Sequence, residues 1–404
     1  MSAGRALPTL AVAAALALGT AISLGLGRFA YALLLPSMRA DLGWSYLIAG
    51  AMNTVNAAGY LAGALLAPVC LRRADARSVF IGGSAATAAA LLGHGLVTSD
   101  PALFAIRFLA GIVSAVAFVA GGLLAVRLAA AAASEGGGHG ASAGLVLGIY
   151  YGGTGVGIVA SALLVPAFVG RAAAHAWQGA WIALAVLALV ATALVALATG
   201  TLRRPATAAV PTAGRGRFAW ASFIPVLIAY LLFGVGYIGY MTFVITLLRE
   251  EHFGDGLVTA FFAMLGLAVM VSPWIWAGVL QRFRGGGAFA LLSALLALAT
   301  LMPVLSAHEV TVFASGLLFG AVFLSLVAST TSLIRHNLAP AAWPAAIAAF
   351  TIVFAVGQIV GPSLVGFVAD HFGGLRSGFA CSAAVLAFAT LAASRQKSLS
   401  TRLA

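Results

Sequence analysis

Polar residues do not recur with any short period along this chain. They punctuate it. Asp, Glu, Lys and Arg are absent from residues 6–27, 78–99, 108–126, 136–170, 172–202, 218–248, 256–281, 285–308, 310–334, 336–369 and 377–394. Inside these runs apolar residues follow one another continuously, without the alternation of a barrel strand. A helix needs about 20 mostly apolar residues to cross the hydrocarbon core, and the runs have that length. Charges, Pro and Gly break the chain at PSMRADLGW, LRRADAR, TSDP, EGGGHG, residues 200–217, REEHFGDG, QRFRGGG, AHE, RHNLAPAAWP and DHFGGLR. The pattern predicts an all-α integral membrane protein. Its transmembrane helices are expected over 9–35, 46–70, 78–98, 101–127, 141–165, 177–199, 219–248, 257–280, 288–306, 310–334, 345–369 and 377–394. The apolar stretch after Arg5 runs to Leu35, too long for a signal-peptide core, so the first span is read as uncleaved.

Composition agrees. The 404 residues are 63% hydrophobic and 7% charged, against about 25% charged in ordinary soluble domains. The net charge of +12 is a matter of topology. With the N-terminus in the cytoplasm, 15 of the 21 Lys and Arg fall in inner segments and seven of the nine acids fall outside. This is the asymmetry that keeps basic loops cytoplasmic. Nucleic acid is excluded as a partner, because no soluble domain carries a basic face. Cys70 and Cys381 lie about 300 residues apart in sequence and give no metal spacing or disulfide framework. No GxxxxGK[ST] occurs, and no base sits beside a nucleophile within the spans, so neither an ATP-driven nor an enzymatic role is supported and no cofactor or metal is expected.

The longest polar connection divides the chain at its middle. The expected organisation is an N-terminal six-helix bundle over 1–199, a cytoplasmic linker over 200–218 and a C-terminal six-helix bundle over 219–404. Internal matches point to duplication. GLGRFAY at 25–31 aligns with GVGYIGY at 234–240, and Gly111 with Gly320, both at an offset of 209. GVGIVASALL at 155 aligns with AVGQIVGPSLV at 355, an offset of 200. The turns LRRADAR and QRFRGGG place Arg72 and Arg73 opposite Arg282 and Arg284, as candidate gating residues.

Two six-helix pseudo-symmetric halves are the layout of major facilitator transporters. RFLAG at 107–111 resembles the Arg-x-x-x-Gly motif on that superfamily's fourth helix. LRRADAR stands where its loop motif lies, in degenerate form, and the Gly-Pro element of antiporter fifth helices is absent. GLGRFAYALLLPSM, NAAGYLAG, GYIGYMTF and GQIVGPSLVGFVAD together resemble the YbfB/YjiJ group over the whole chain. The resemblance implies the major facilitator fold and a secondary transporter, without cofactor, in a bacterial inner membrane. It also implies that helices one and four line a central cavity.

Two cations lie inside the spans, Arg28 and Arg107, and all nine acids lie at span ends or in loops. A charge in the bilayer core costs at least ~2.5–3.5 kcal/mol and persists when it faces a cavity or a partner. Arg28 is eight residues before Pro36 and Arg107 seven after Asp100, so both lie about 10–12 Å from the outer end. Without a carboxylate partner, they are expected to bind an anionic solute, since guanidinium holds carboxylate or phosphate in bidentate pairs. Snorkelling for Arg28, and carbonyl bonding at a helix contact for Arg107, remain open. The second half has Tyr237 and Tyr240 at the repeat positions of Arg28 and Tyr31, with Tyr230 one heptad earlier. These tyrosines suit the organic body of a small acid, and Tyr31 is a candidate contact with them. Asn56, Tyr150 and Gln358 are further candidate contacts, with Tyr151 beside them; Asn53 is read as an interhelical hydrogen bond and His94, near the outer end of helix three, as structural. A monomer carrying a carboxylate is expected, with a proton as a candidate coupling ion. Efflux of neutral or amphipathic compounds, and a transporter-like sensor or scaffold without flux, are the alternatives.

Overall fold

The computed structural model describes residues 9–134, 143–169, 174–200 and 220–399. The expected linker at 200–218 lies almost wholly outside these, as do Arg5, Glu135, Arg171, Arg203, Arg204, Arg215, Arg217 and Arg402. Among the described residues there is no strand, and twelve helices are long and apolar enough to cross a membrane. They are α1 Thr9–Leu42, α2 Tyr46–Arg73, α3 Ala76–His94, α4 Asp100–Ala132, α5 Gly144–Val169, α6 Ala176–Ala198, α7 Trp220–Glu250, α8 Asp255–Arg282, α9 Gly287–Leu305, α10 Glu309–Asn337, α11 Pro340–His371 and α12 Leu375–Ser394. In hydrocarbon every backbone amide and carbonyl needs an internal partner, and a helix supplies it from its own segment.

The boundaries depart from expectation chiefly at proline. PSMRADLGW was expected as a break, yet α1 continues through Pro36 to Leu42. Proline removes one amide donor, and a packed membrane helix absorbs that loss. The stop comes at Gly43, whose φ of +66° disfavours any residue with a Cβ. Pro68, Pro273, Pro303 and Pro362 likewise sit inside helices.

The chain forms two compact units. The first contains α1 to Asp41, α2 from Ala58, α3 to α6, and Asp255–Met270 of α8. The second contains Leu42–Ala57, α7, the rest of α8 from Val271, and α9 to α12.

The sequence repeat reappears as a repeated contact, once in each unit. In the first, Gly25 of α1 abuts the backbone of Gly157 of α5. In the second, Gly234 of α7 abuts Gly357 of α11. These are the positions that the offsets of 209 and 200 relate. A methyl group at Gly157 would stand 2.8 Å from the Gly25 Cα, and one at Gly357 would stand 3.0 Å from the Gly234 Cα. Small residues let membrane helices approach closely enough for van der Waals packing to hold them.

In the second unit, the start of α2 packs on α11 and α7. Asp370 accepts hydrogen bonds from the Tyr46 and Leu47 amides at 2.9 and 2.8 Å, and the Tyr46 hydroxyl donates to Glu250. Thr54 donates to the Ile359 carbonyl at 2.7 Å, and Asn53 donates to the Thr242 hydroxyl at 2.7 Å.

Candidate functional site

Among the described residues the buried arginines are Arg28 and Arg107, both in the first unit, and local helix geometry explains how they meet. Residues Ala21–Phe29 of α1 form a π-helix, with the Ala30 amide bonded to the Gly25 carbonyl at 2.9 Å. Gly25 and Gly27 lower the helical preference of this stretch. Arg107 of α4 supplies donors there. Its Nη1 donates to the Gly27 carbonyl at 2.9 Å and its Nη2 to the Arg28 carbonyl at 3.1 Å. The guanidinium lies 4.9 Å from the Tyr31 ring centre and 5.7 Å from that of Trp181. The carbonyl bonding that the sequence leaves open for Arg107 is present in the structure.

Arg28 is in the opposite condition. Its side chain is 3% exposed, and its Nε and Nη2 find no acceptor among the described residues. The ring of Tyr60 on α2 lies against it, 5.5 Å from Cζ. The other unit shows what is missing. There Tyr237 occupies the equivalent position, and Gln358, the residue after Gly357, donates to its hydroxyl. The equivalent of Gln358 in the first unit is Ile158, which is fully buried and offers nothing to a cation. The repeat therefore closes a polar pair in one unit and leaves it open in the other.

The remaining expected contacts separate into two groups. Tyr237 and Gln358 are brought together, with the Tyr237 ring stacked on Phe233 at 4.8 Å. Tyr31 and Tyr240 are packed with no exposed surface. Tyr240 bonds the Ser315 hydroxyl at 2.7 Å and stacks on Phe319 at 4.1 Å. Tyr150 is also fully buried and donates to the Phe118 carbonyl at 2.7 Å. Asn56 is buried in the second unit, whereas Arg28 belongs to the first. Tyr230 joins a ring stack with Phe354 at 4.7 Å. His94 stacks on Trp181 at 4.6 Å and holds the Ala90 carbonyl through Nδ1 at 2.8 Å.

Arg72, Arg73, Arg282 and Arg284 are all exposed at the ends where α2 and α8 stop. Arg77, which sequence reasoning did not single out, is half-buried instead. It caps α6 through Nη2 to the Ala196 carbonyl at 2.7 Å and Nε to the Thr199 hydroxyl at 3.1 Å. Tyr60 was also missed as a site residue; the signal was a lone aromatic ring in the small-residue run NAAGYLAG. Among the described residues no three His, Cys, Asp or Glu side chains gather as a metal site would require.

Known proteins match this arrangement at the level of family and fold. The MFS_4 family, described as uncharacterised MFS-type transporter YbfB, matches residues 20–394. No curated protein matches the chain. A bacterial homologue of the human lysosomal transporter Spinster, solved inward-facing and unoccupied, is similar with a TM-score of 0.75 and 13% identity. That match covers 97% of this chain and 98% of the other. A point mutant of the nucleoside transporter NupG is similar with a TM-score of 0.71 and 15% identity, over 95% of this chain and 99% of the other. At such identities the likeness is one of fold.

Proposed function

Because the chain belongs to this family of MFS-type transporters, we propose that it carries a small organic anion, a carboxylate, across the bacterial inner membrane by alternating access. The observation that carries the reading is the Arg28 guanidinium, buried within a membrane helix with Nε and Nη2 lacking an acceptor among the described residues. Those two N–H groups form the side edge of the guanidinium, the edge that takes both oxygens of a carboxylate at once. No described residue accepts from these two groups, and the solute's carboxylate is the acceptor they are given in this reading. A buried unpaired charge costs several kcal/mol, and binding an anion returns it as affinity.

Arg107 contributes by holding the π-helical backbone at Gly27 and Arg28 rather than by spending its charge on the solute. The Tyr237–Gln358 pair is the second unit's polar contact for the organic body. The exposed Arg72, Arg73, Arg282 and Arg284 act on the rate of conformational exchange at the inner face. The protein works as a monomer of two six-helix bundles, 1–199 and 219–404, with both termini cytoplasmic, and a proton is the candidate coupling ion. Flux in proteoliposomes tests the reading. A labelled carboxylate should enter saturably, its neutral amide should not, and Arg28→Gln should abolish entry. Saturable movement of the amide at equal rate would instead make the protein a carrier of neutral compounds.

A further inference from the structure

Arg28 shares its unit with a cluster of aromatic rings around Phe118. Tyr60 lies against the guanidinium. Phe118 of α4 is 6.3 Å from Tyr60, and 6.2 and 6.1 Å from Tyr150 and Tyr151 of α5. Tyr150 is committed to packing, with its ring buried and its hydroxyl on the Phe118 carbonyl. The other three keep accessible surface. Tyr60 and Phe118 are half-buried, and Tyr151 is 44% exposed although it lies within a membrane span and touches Phe118 and Tyr150. A buried cation with open donors beside a cluster of partly accessible rings suits a molecule with an anionic head and a flat apolar body.

The charge count narrows the class. Among the described residues the buried arginines are Arg28 and Arg107, and Arg107 is committed to the carbonyls of Gly27 and Arg28. Arg28 therefore faces the solute as a single cation, matched by a single carboxylate. A second carboxylate on the same solute would meet Tyr60, Phe118 and Tyr151, where it would lose hydration without gaining a partner. An aromatic ring meets complementary ring faces and edges there, beyond the area it buries.

We propose that the anion held by Arg28 is an aromatic monocarboxylate, with its ring laid along Tyr60, Phe118 and Tyr151, and that these three side chains set the specificity. The proposal rests on the reading of Arg28 as the anion contact. The test uses the purified full chain in detergent and four probes: benzoate, cyclohexanecarboxylate of similar size, succinate, and neutral benzamide. Binding is read by calorimetry. Benzoate should bind roughly three- to tenfold tighter than cyclohexanecarboxylate, the range that ring–ring contacts supply. Succinate and benzamide should bind at least about tenfold more weakly than benzoate, for want of a second cation and of an anion respectively. Phe118→Leu and Tyr151→Leu should narrow the benzoate preference to below about twofold.

Equal binding of benzoate and cyclohexanecarboxylate to the wild-type chain, or tightest binding of succinate, overturns the aromatic assignment. If Arg28→Gln still loses those ligands, the anion reading survives that failure. A benzoate preference that persists in both leucine variants also overturns the role given to the ring cluster. Benzamide binding as well as benzoate, or benzoate binding undiminished in Arg28→Gln, removes the anion contact and the inference together. Absence of benzoate binding to a folded wild-type chain overturns the inference as well. The comparison of probes on the wild-type chain does not depend on any variant folding.

Discussion

Replacing Arg28 with glutamine separates a cation kept for a solute from a cation kept for the fold. The guanidinium makes no hydrogen bond to a described residue through Nε or Nη2 and gains chiefly the Tyr60 ring. That ring contact is worth about 0.5–2 kcal/mol, against an insertion cost of at least ~2.5–3.5 kcal/mol for a mid-membrane arginine. Glutamine removes both terms and orphans no carboxylate. The folded state should therefore hold within about 1 kcal/mol or gain up to about 3 kcal/mol. Binding has the opposite sign. Loss of a desolvated bidentate charge pair costs about 2–5 kcal/mol, or roughly 30- to several-thousand-fold in affinity. The ligand's stabilisation of the wild type, about 2.7 kcal/mol at a hundred times Kd, should vanish from the variant. Thermal unfolding in detergent, with and without a carboxylate, reads both quantities in one experiment. Arg28→Lys should recover only part of the affinity, because an ammonium lacks the planar fork. A clear drop in the melting temperature of unliganded Arg28→Gln refutes the reasoning and makes Arg28 a structural clamp. Unchanged affinity in a folded variant moves the anion contact elsewhere.

Arg107→Gln should behave in the reverse manner. It strips two charge-assisted bonds from the Gly27 and Arg28 carbonyls and should lower stability by about 2–4 kcal/mol, measured by the same unfolding assay without ligand. Asp370→Ala removes the acceptor of the Tyr46 and Leu47 amides. Hydrogen exchange at the start of α2 should rise roughly tenfold, as for a lost helix cap, and unchanged protection would show that Ser45 and water suffice. Paired neutralisation of Arg72 and Arg73, or of Arg282 and Arg284, should change the flux rate while leaving affinity within about threefold, since exposed charges hold little binding energy. A reporter inserted within 205–214 should read cytoplasmic and one within 251–256 periplasmic; a cytoplasmic signal at 251–256 would reverse the orientation drawn from the basic loops.

The membrane class, the twelve spans and the repeat were legible in the sequence because each rests on a one-dimensional property. Hydrocarbon thickness fixes run length, and charge avoidance marks the loops. Duplication preserved Gly25 and Gly157 at the offsets of Gly234 and Gly357, and the close glycine contacts follow from that register. Proline was the misleading signal. Read locally, Pro36 ends a helix, whereas packed neighbours carry α1 through it to Leu42. The two arginines were visible as anomalies, but their roles were not. Sequence gives both the same charge, at similar depth and without an acid nearby. Their difference depends on which way each guanidinium points. Arg107 reaches from α4 to carbonyl oxygens near the end of the π-helix Ala21–Phe29. Arg28 meets the Tyr60 ring, and α5 brings Ile158 where α11 brings Gln358 to Tyr237. Hydrogen bonds are decided over distances of about 3 Å between residues some 80 to 120 apart in the chain, so only the folded packing could assign them.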